Sequence, residues 1–146
     1  MQKLKNKLFD VLARNISIES FEQWLYNDVD ILNAIERDDV VLSLVDRDYK
    51  SKNILNDLEK YLIENYNFDE FFVFLVEESY QKLSRVSDFD SIESILNVLQ
   101  QFYNKNCDYQ LLFEFYYLVY DDYFENKQNY ISRVKNLAKE KVRILN

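Results

Sequence analysis

The sequence predicts an all-α protein, and three observations support this class. Apolar residues recur every three or four positions along most of the chain, which is the spacing of one helix face. Glycine and proline, the usual breaks of regular structure, are both absent from the 146 residues. The one run that suggests a strand by propensity, VVLSLV at 40–45, has no second strand to pair with, so it is predicted to be helical. We expect a single domain over 1–146, a multi-helix bundle of about eight helices built from αα-hairpins.

Helix starts must be identified from Ser, Asp and Asn, whose side chains can accept hydrogen bonds from the first turn. Together with the apolar spacing they predict helices at about 2–14, 18–27, 29–35, 40–46, 52–65, 68–85, 90–105, 109–125 and 127–144. The predicted caps are Ser17, Asp28, Asp38, Ser51, Asn67, either Ser87 or Asp90, and Asp108. The apolar residues assigned to inner faces include Phe21, Trp24, Leu25, Val29, Leu32, Ile54, Leu58, Leu62 and Ile63.

Composition excludes several classes of catalytic site. A chain of this length usually has about ten glycines and seven prolines. Without glycine there is no phosphate-binding loop, dinucleotide fingerprint or nucleophile elbow, and without histidine the commonest general base and metal ligand is missing. The paired acids at 38–39, 77–78 and 121–122 diverge by about 100° on a helix, so they form no ready acid/base pair. We expect no enzyme activity, catalytic residue, cofactor or metal.

Three short patterns suggest chemistry, and each departs from its motif. Asp46, Asp48 and Asp57 match positions 1, 3 and 12 of a calcium loop, but Ser51 stands where the loop needs glycine. Ser79 and Lys82 have the spacing of a serine acyl enzyme without the glycine-containing partner motif. Cys107 lies beside an aspartate that would raise its pKa, which favours an inert thiol.

The charge of the chain favours a basic protein partner. The net charge is −8, which disfavours direct binding to nucleic acid. It is uneven: residues 1–14 carry +3 and 127–146 carry +5, whereas 15–48 carry −7 and 61–125 carry −10. The longest purely apolar run is 71–76, too short to cross a membrane, and a lone cysteine is typical of a reducing compartment. A cytoplasmic location is expected.

The segment YQLLFEFYYLVYDDYFE, residues 109–125, is the strongest non-random feature. A helix that is aromatic nearly all round is either central to a bundle or has a second apolar face for a partner. Both alternatives stay open for the stripe as a whole. Interface residues are predicted where acids flank the tyrosines: Tyr117, Tyr120, Asp121, Asp122, Tyr123 and Glu125. The acidic residues Asp38, Asp39, Asp46 and Asp48 are a second candidate surface.

The stretch ISIESFEQWLYND at 16–28, followed by DYKSK at 48–52, resembles the N-terminal half of a known class of bacterial proteins. These are small, acidic, helical immunity proteins of contact-dependent growth inhibition systems, encoded beside polymorphic toxins. The resemblance covers about a third of the chain. It implies a cytosolic protein without catalysis that binds the toxin domain of a sibling cell and blocks its active site.

The expected function is therefore neutralisation of a cognate toxin domain, a basic nuclease, in a 1:1 complex. Acidic residues around tyrosine anchors suit such a cleft, because nucleases bind phosphates with basic residues. Two other classes stay open. One is a helical adaptor or regulatory protein that uses the same surface on another basic partner. The other is a hydrolase in which carboxylates of several helices converge on Mg²⁺.

Overall fold

The computed structural model describes residues 1–103 and 127–145, and these ranges contain eight helices and no strand. The all-α prediction is therefore confirmed. The helices are α1 (Gln2–Leu12), α2 (Ile18–Asn27), α3 (Val29–Ala34), α4 (Asp39–Val45), α5 (Ile54–Asn65), α6 (Phe68–Leu83), α7 (Phe89–Tyr103) and α8 (Lys127–Leu145). The helix predicted at 109–125 lies outside the described residues.

The chain forms two compact units, Met1–Phe68 and Asp69–Asn146. In the first unit α1 contacts α2 and α5, α2 contacts α3 and α4, and α3 contacts α4. Its fully buried side chains include Leu4, Leu8, Leu12, Phe21, Leu25, Ile31, Leu44 and Leu58. In the second unit α7 packs against α8. There Phe71 meets Phe102 edge-on at 5.0 Å between ring centroids, and Phe89 lies 5.7 Å from Tyr130.

Three predicted caps of the first unit are confirmed by their hydrogen bonds. The Ser17 hydroxyl accepts from the Ser20 N–H at 3.1 Å and begins α2. Asp28 accepts from the N–H groups of Asp30 and Ile31 at 3.0 and 3.2 Å. Asp38 accepts from those of Val40 and Val41, so the VVLSLV run is a capped helix, as predicted.

Two predicted helix starts are wrong. Ser51 does not cap α5: its hydroxyl accepts from the Asn53 N–H at 3.1 Å within a turn, and the helix begins at Ile54. Neither Ser87 nor Asp90 caps α7, because Asp88 accepts from the Ser91 N–H at 2.8 Å. In both cases a second polar residue near the same boundary competes for the capping position, and spacing does not rank such neighbours.

Some inner-face assignments are also wrong. In α5 the buried face is Ile54, Leu58, Tyr61 and Leu62, whereas Ile63 is 48% exposed. Helix α3 has only six residues, and it buries Ile31 whereas Val29 and Leu32 are exposed. Trp24 is half-buried, with the Lys7 ammonium 5.8 Å from its ring centroid. The apolar residues of these helices outnumber the positions that the small unit can cover.

Candidate functional site

The four aspartates of the second candidate surface lie at the two ends of α4, and all four are exposed. Asp38 caps the helix and Asp39 is its first residue; Asp46 is the C-cap, and Asp48 follows in the next turn. Seven helical residues span about 10 Å. The structure therefore divides these acids into two pairs rather than one cluster. Tyr117, Tyr120, Asp121, Asp122, Tyr123 and Glu125 lie outside the described residues.

The C-terminal end of α4 presents a tyrosine among carboxylates. Tyr26 is 45% exposed, and its hydroxyl donates to the Val45 carbonyl at 3.4 Å. Burial raises the pKa of this phenol, and the negative charges of Glu22, Asp46 and Asp48 raise it further. The charges of these three acids thus all favour the neutral form of the Tyr26 phenol. We call Tyr26, Glu22, Asp46 and Asp48 the Tyr26 surface.

Tyr49 is a core residue that packs against Tyr26. It is buried, and its hydroxyl donates to the Leu44 carbonyl at 2.7 Å, which ties the turn after α4 to the helix. Its ring meets Tyr26 edge-on at 6.4 Å and lies 6.0 Å from Phe21. Asp48 accepts from the Lys50 N–H at 3.0 Å, which fixes its turn. A partner would therefore meet a tyrosine held by a packed core.

Arg47 lies between the two acids of this turn, yet it faces inward. Its guanidinium carbon lies 5.7 Å from the Tyr61 ring centroid, and its charge acts to lower the pKa of Tyr49 and Tyr61. Its Nε is buried and has no hydrogen-bond partner among the described residues. The charges of Asp46, Arg47 and Asp48 alternate in sign along the chain, but Arg47 is half-buried while both aspartates are exposed.

The N-terminal end of α4 brings Asp38 near two further tyrosines. Burial raises the pKa of Tyr61 to about 12, and the charges of Tyr66 and Asp38 act in the same direction. The pKa of Tyr66 is also raised, first by burial and then by Asp38. The two rings lie 6.4 Å apart. Asp38 is therefore both a helix cap and the negative charge beside a tyrosine pair.

Not every acid of the first unit is available to a partner. Lys3 binds Asp28 at 3.0 Å and Asp30 at 2.9 Å. Carboxylates that already pair with a lysine have less charge to offer a basic partner. This separates Asp28 and Asp30 from the acids at the ends of α4.

The short patterns that suggested chemistry have other structural roles where they are described. The Ser79 hydroxyl is buried and donates to the Leu75 carbonyl at 2.7 Å within α6, while Cys107 lies outside the described residues. In residues 1–103 and 127–145, no three carboxylates or thiols come together as a metal site. Among the helices described, none is both long and apolar enough to cross a bilayer.

Two residues of the Tyr26 surface were missed by the sequence reasoning, Glu22 and Tyr26. Their signal was present: Glu22 and Tyr26 are four positions apart, so they lie on one face of α2. That face is turned about 100° from the one marked by Phe21 and Leu25, which are both fully buried. The spacing does not indicate that α4 packs against α2, because this is a contact between helices.

Comparisons with protein-family models, with curated proteins and with solved structures find no match to this chain.

Proposed function

We propose that this protein is an immunity protein, which binds a cognate bacterial toxin domain and covers its active-site cleft in a cytoplasmic 1:1 complex. The toxin is proposed to be a basic nuclease. The observation that supports this best is the Tyr26 surface, an exposed tyrosine whose pKa is raised by the charges of three carboxylates. The resemblance of residues 16–28 to immunity proteins falls on the same helix, α2.

The chemistry of the Tyr26 surface suits a nuclease cleft. Such clefts bind phosphates with Lys and Arg, so carboxylates can occupy the same positions as substrate phosphates. A tyrosine ring contributes buried area at low entropic cost, and its hydroxyl can stay hydrated at the edge of an interface. Charge would then speed the encounter, and the packed ring would slow dissociation.

The predicted contacts of the aromatic segment belong to the same proposal. Tyr117, Tyr120, Asp121, Asp122, Tyr123 and Glu125 repeat the composition of the Tyr26 surface, tyrosines beside acids. If they contact the toxin, replacing Asp121 and Asp122 with lysine weakens protection of the producing cell. The test of the Tyr26 surface is independent of this segment.

The experiment is co-expression with the protein encoded immediately upstream, followed by size-exclusion chromatography and a growth assay. Immunity predicts that the upstream protein alone arrests growth, that this protein restores it, and that the two co-elute. An upstream protein that is neither toxic nor bound would contradict the proposal. The adaptor class would then come first, with a different basic partner.

A pair of triple variants shows whether the Tyr26 surface is the interface. The test variant combines Glu22→Gln, Asp46→Asn and Asp48→Asn. The control combines Glu64→Gln, Glu77→Gln and Glu93→Gln, which removes the same charge from exposed positions elsewhere. The test variant should weaken the complex at least tenfold, and the control less than threefold. Equal effects would show that net charge, rather than this surface, governs binding.

A further inference from the structure

A pocket of about 270 Å³ opens at the N-terminal end of α4, where residues of α1, α3, α4 and α5 meet. Its apolar walls are Met1, Leu4, Ala34, Val40 and Val41. Its polar lining consists of Asp38, Tyr61, Asn65 and Tyr66. The pocket lies at the opposite end of α4 from the Tyr26 surface and shares no residue with it.

The polar lining is rich in hydrogen-bond acceptors. Asp38 uses Oδ1 for the two N–H groups of α4, and its Oδ2 accepts no hydrogen bond from the described residues. Asn65 donates through Nδ2 to the Tyr61 carbonyl at 2.9 Å, which leaves its Oδ1 as an acceptor. The phenol oxygens of Tyr61 and Tyr66 can accept as well. A ligand that carries several donors can use these acceptors together.

We propose that this pocket receives the guanidinium group of an arginine side chain from the partner protein. A guanidinium has five donors and no acceptor, and it is favoured against both carboxylates and tyrosine rings. Asp38 would supply the opposite charge, and Tyr61 and Tyr66 the aromatic surface. The inference rests on the proposed function, since it names an anchor residue of the basic partner.

The size of the pocket favours a single side chain. Sites for whole small molecules usually measure about 300–1,000 Å³. A volume of about 270 Å³ lies just below this range, so it suits one long side chain that enters from a surface. The rim is apolar and partly exposed, with Met1 at 49% and Val40 at 44%. Residues that cover such a rim exclude water from the contact at its centre.

Arg47 is a nearby cation that opposes the proposal, and its position limits its effect. Arg47 lies against the Tyr61 ring but does not line the pocket. Its charge reduces the attraction of Tyr61 for a second cation. Tyr66 and Asp38 are therefore expected to provide most of the recognition.

The first experiment uses the isolated protein and a small probe. N-acetylarginine methylamide is titrated while the NMR signals of Ala34, Val40 and Val41 are followed, with N-acetylcitrulline methylamide as the neutral analogue of the same shape. The arginine probe should shift these signals with millimolar affinity, and the citrulline probe should not. The shifts should disappear in Asp38→Asn, which keeps the helix cap because Asn caps as well as Asp. Equal shifts from both probes, or none from either, would overturn the proposal.

The second experiment uses the toxin complex with a matched pair of variants. Asp38→Asn and Asp39→Asn remove one charge each from the same end of α4, but only Asp38 lines the pocket. Asp38→Asn should weaken binding about 10- to 100-fold, and Asp39→Asn less than about threefold. If the two variants behave alike while the complex still protects cells, the anchor is refuted and the immunity proposal stands. If the arginine probe binds but no toxin complex forms, immunity fails and the cation site remains.

Discussion

At the scale of single residues, Arg14 shows the conformational cost of ending a helix without glycine. It has φ 64°, the left-handed region, just after the end of α1. The turn needs this conformation, because the Asn15 N–H donates back to the Asp10 carbonyl at 2.8 Å. Glycine is the usual residue at this position of a helix end. A residue with a Cβ costs about 1–2 kcal/mol there. The Arg14 guanidinium offsets part of this cost, because it donates a hydrogen bond to the Leu12 carbonyl at 3.0 Å.

We predict that Arg14→Gly is more stable than Arg14→Ala by about 1 kcal/mol. Both variants lose the hydrogen bond to Leu12, so their difference reports the backbone conformation alone. The free energy of unfolding from urea titrations measures it. Equal stability of the two variants would mean that the turn opens when the arginine is removed.

A second residue-scale prediction concerns the phenols beside Asp38. A nearby negative charge disfavours the phenolate and so raises the pKa of a tyrosine. Asp38→Asn should therefore lower the pKa of both Tyr66 and Tyr61, because the charge of Asp38 raises both. Tyrosine ¹³Cζ shifts followed against pH measure both. Asp39→Asn is the control and should leave the two titrations unchanged.

At the scale of helices, Asp28 is the single residue that joins α2 and α3. Its N–H donates to the Trp24 carbonyl at the end of α2, and its carboxylate caps α3. Burial raises its pKa, but the hydrogen bonds from Lys3 and from the N–H groups of Ile31 and Asp30 outweigh this, so the pKa is lowered overall. The direction of α3 relative to α2 thus depends on this one residue, whose ionised form the fold favours.

We predict that Asp28→Ala destabilises the first unit by about 1–2 kcal/mol, the usual effect of a lost cap. Asp28→Asn should cost less, since it keeps the cap and loses the attraction to Lys3. Because the folded pKa is lowered, the advantage of Asp over Asn is complete above the ordinary value of 3.8 and is lost as the pH falls toward the lowered value. Unfolding titrations at pH 6 and pH 2.5 check this, and an advantage as large at pH 2.5 as at pH 6 would contradict it.

The helices predicted best from sequence are those with one clear cap. Ser17, Asp28 and Asp38 each stand alone before an apolar run, and the structure uses all three. Several polar residues near the start of α7 could cap it, and the spacing does not indicate that Asp88 is the one that does. Helix α5 has no side-chain cap bond at Asn53, so no local signal marks its first residue. Local chemistry therefore locates a helix, but packing decides its ends and its buried face.

The candidate site was less predictable because it depends on contacts between helices. The acids of the α4 region were chosen from sequence, yet their division between the two ends of α4 needs the helix itself. Tyr26 and Tyr61 are both tyrosines on helices, one 45% exposed and one buried. Their spacing does not distinguish them, since each lies next to an apolar residue in its own helix. Only the packing of α1, α2, α4 and α5 assigns them to a surface and to a pocket wall.

At the scale of the whole molecule, the charges are arranged so that some acids are already neutralised. The basic segment 1–14 contributes Lys3, which pairs with Asp28 and Asp30. The acids of the Tyr26 surface make no ion pair within the described residues. A net charge of −8 would attract a basic partner at long range, and under the proposed function the unpaired acids of the Tyr26 surface would select where that partner docks.

This arrangement predicts how binding to the toxin depends on salt. The screening length falls from about 30 Å at 0.01 M salt to about 8 Å at 0.15 M. The association rate should therefore fall at least tenfold over that range, whereas the dissociation rate, governed by close contacts, should change less than about threefold. Stopped-flow fluorescence can measure both rates. The triple variant of the Tyr26 surface should show a weaker salt dependence than the triple variant of Glu64, Glu77 and Glu93, although their net charges are equal. Equal salt dependence of the two variants would show that net charge governs the encounter. A weaker salt dependence in the variant of the Tyr26 surface would locate the encounter at this surface.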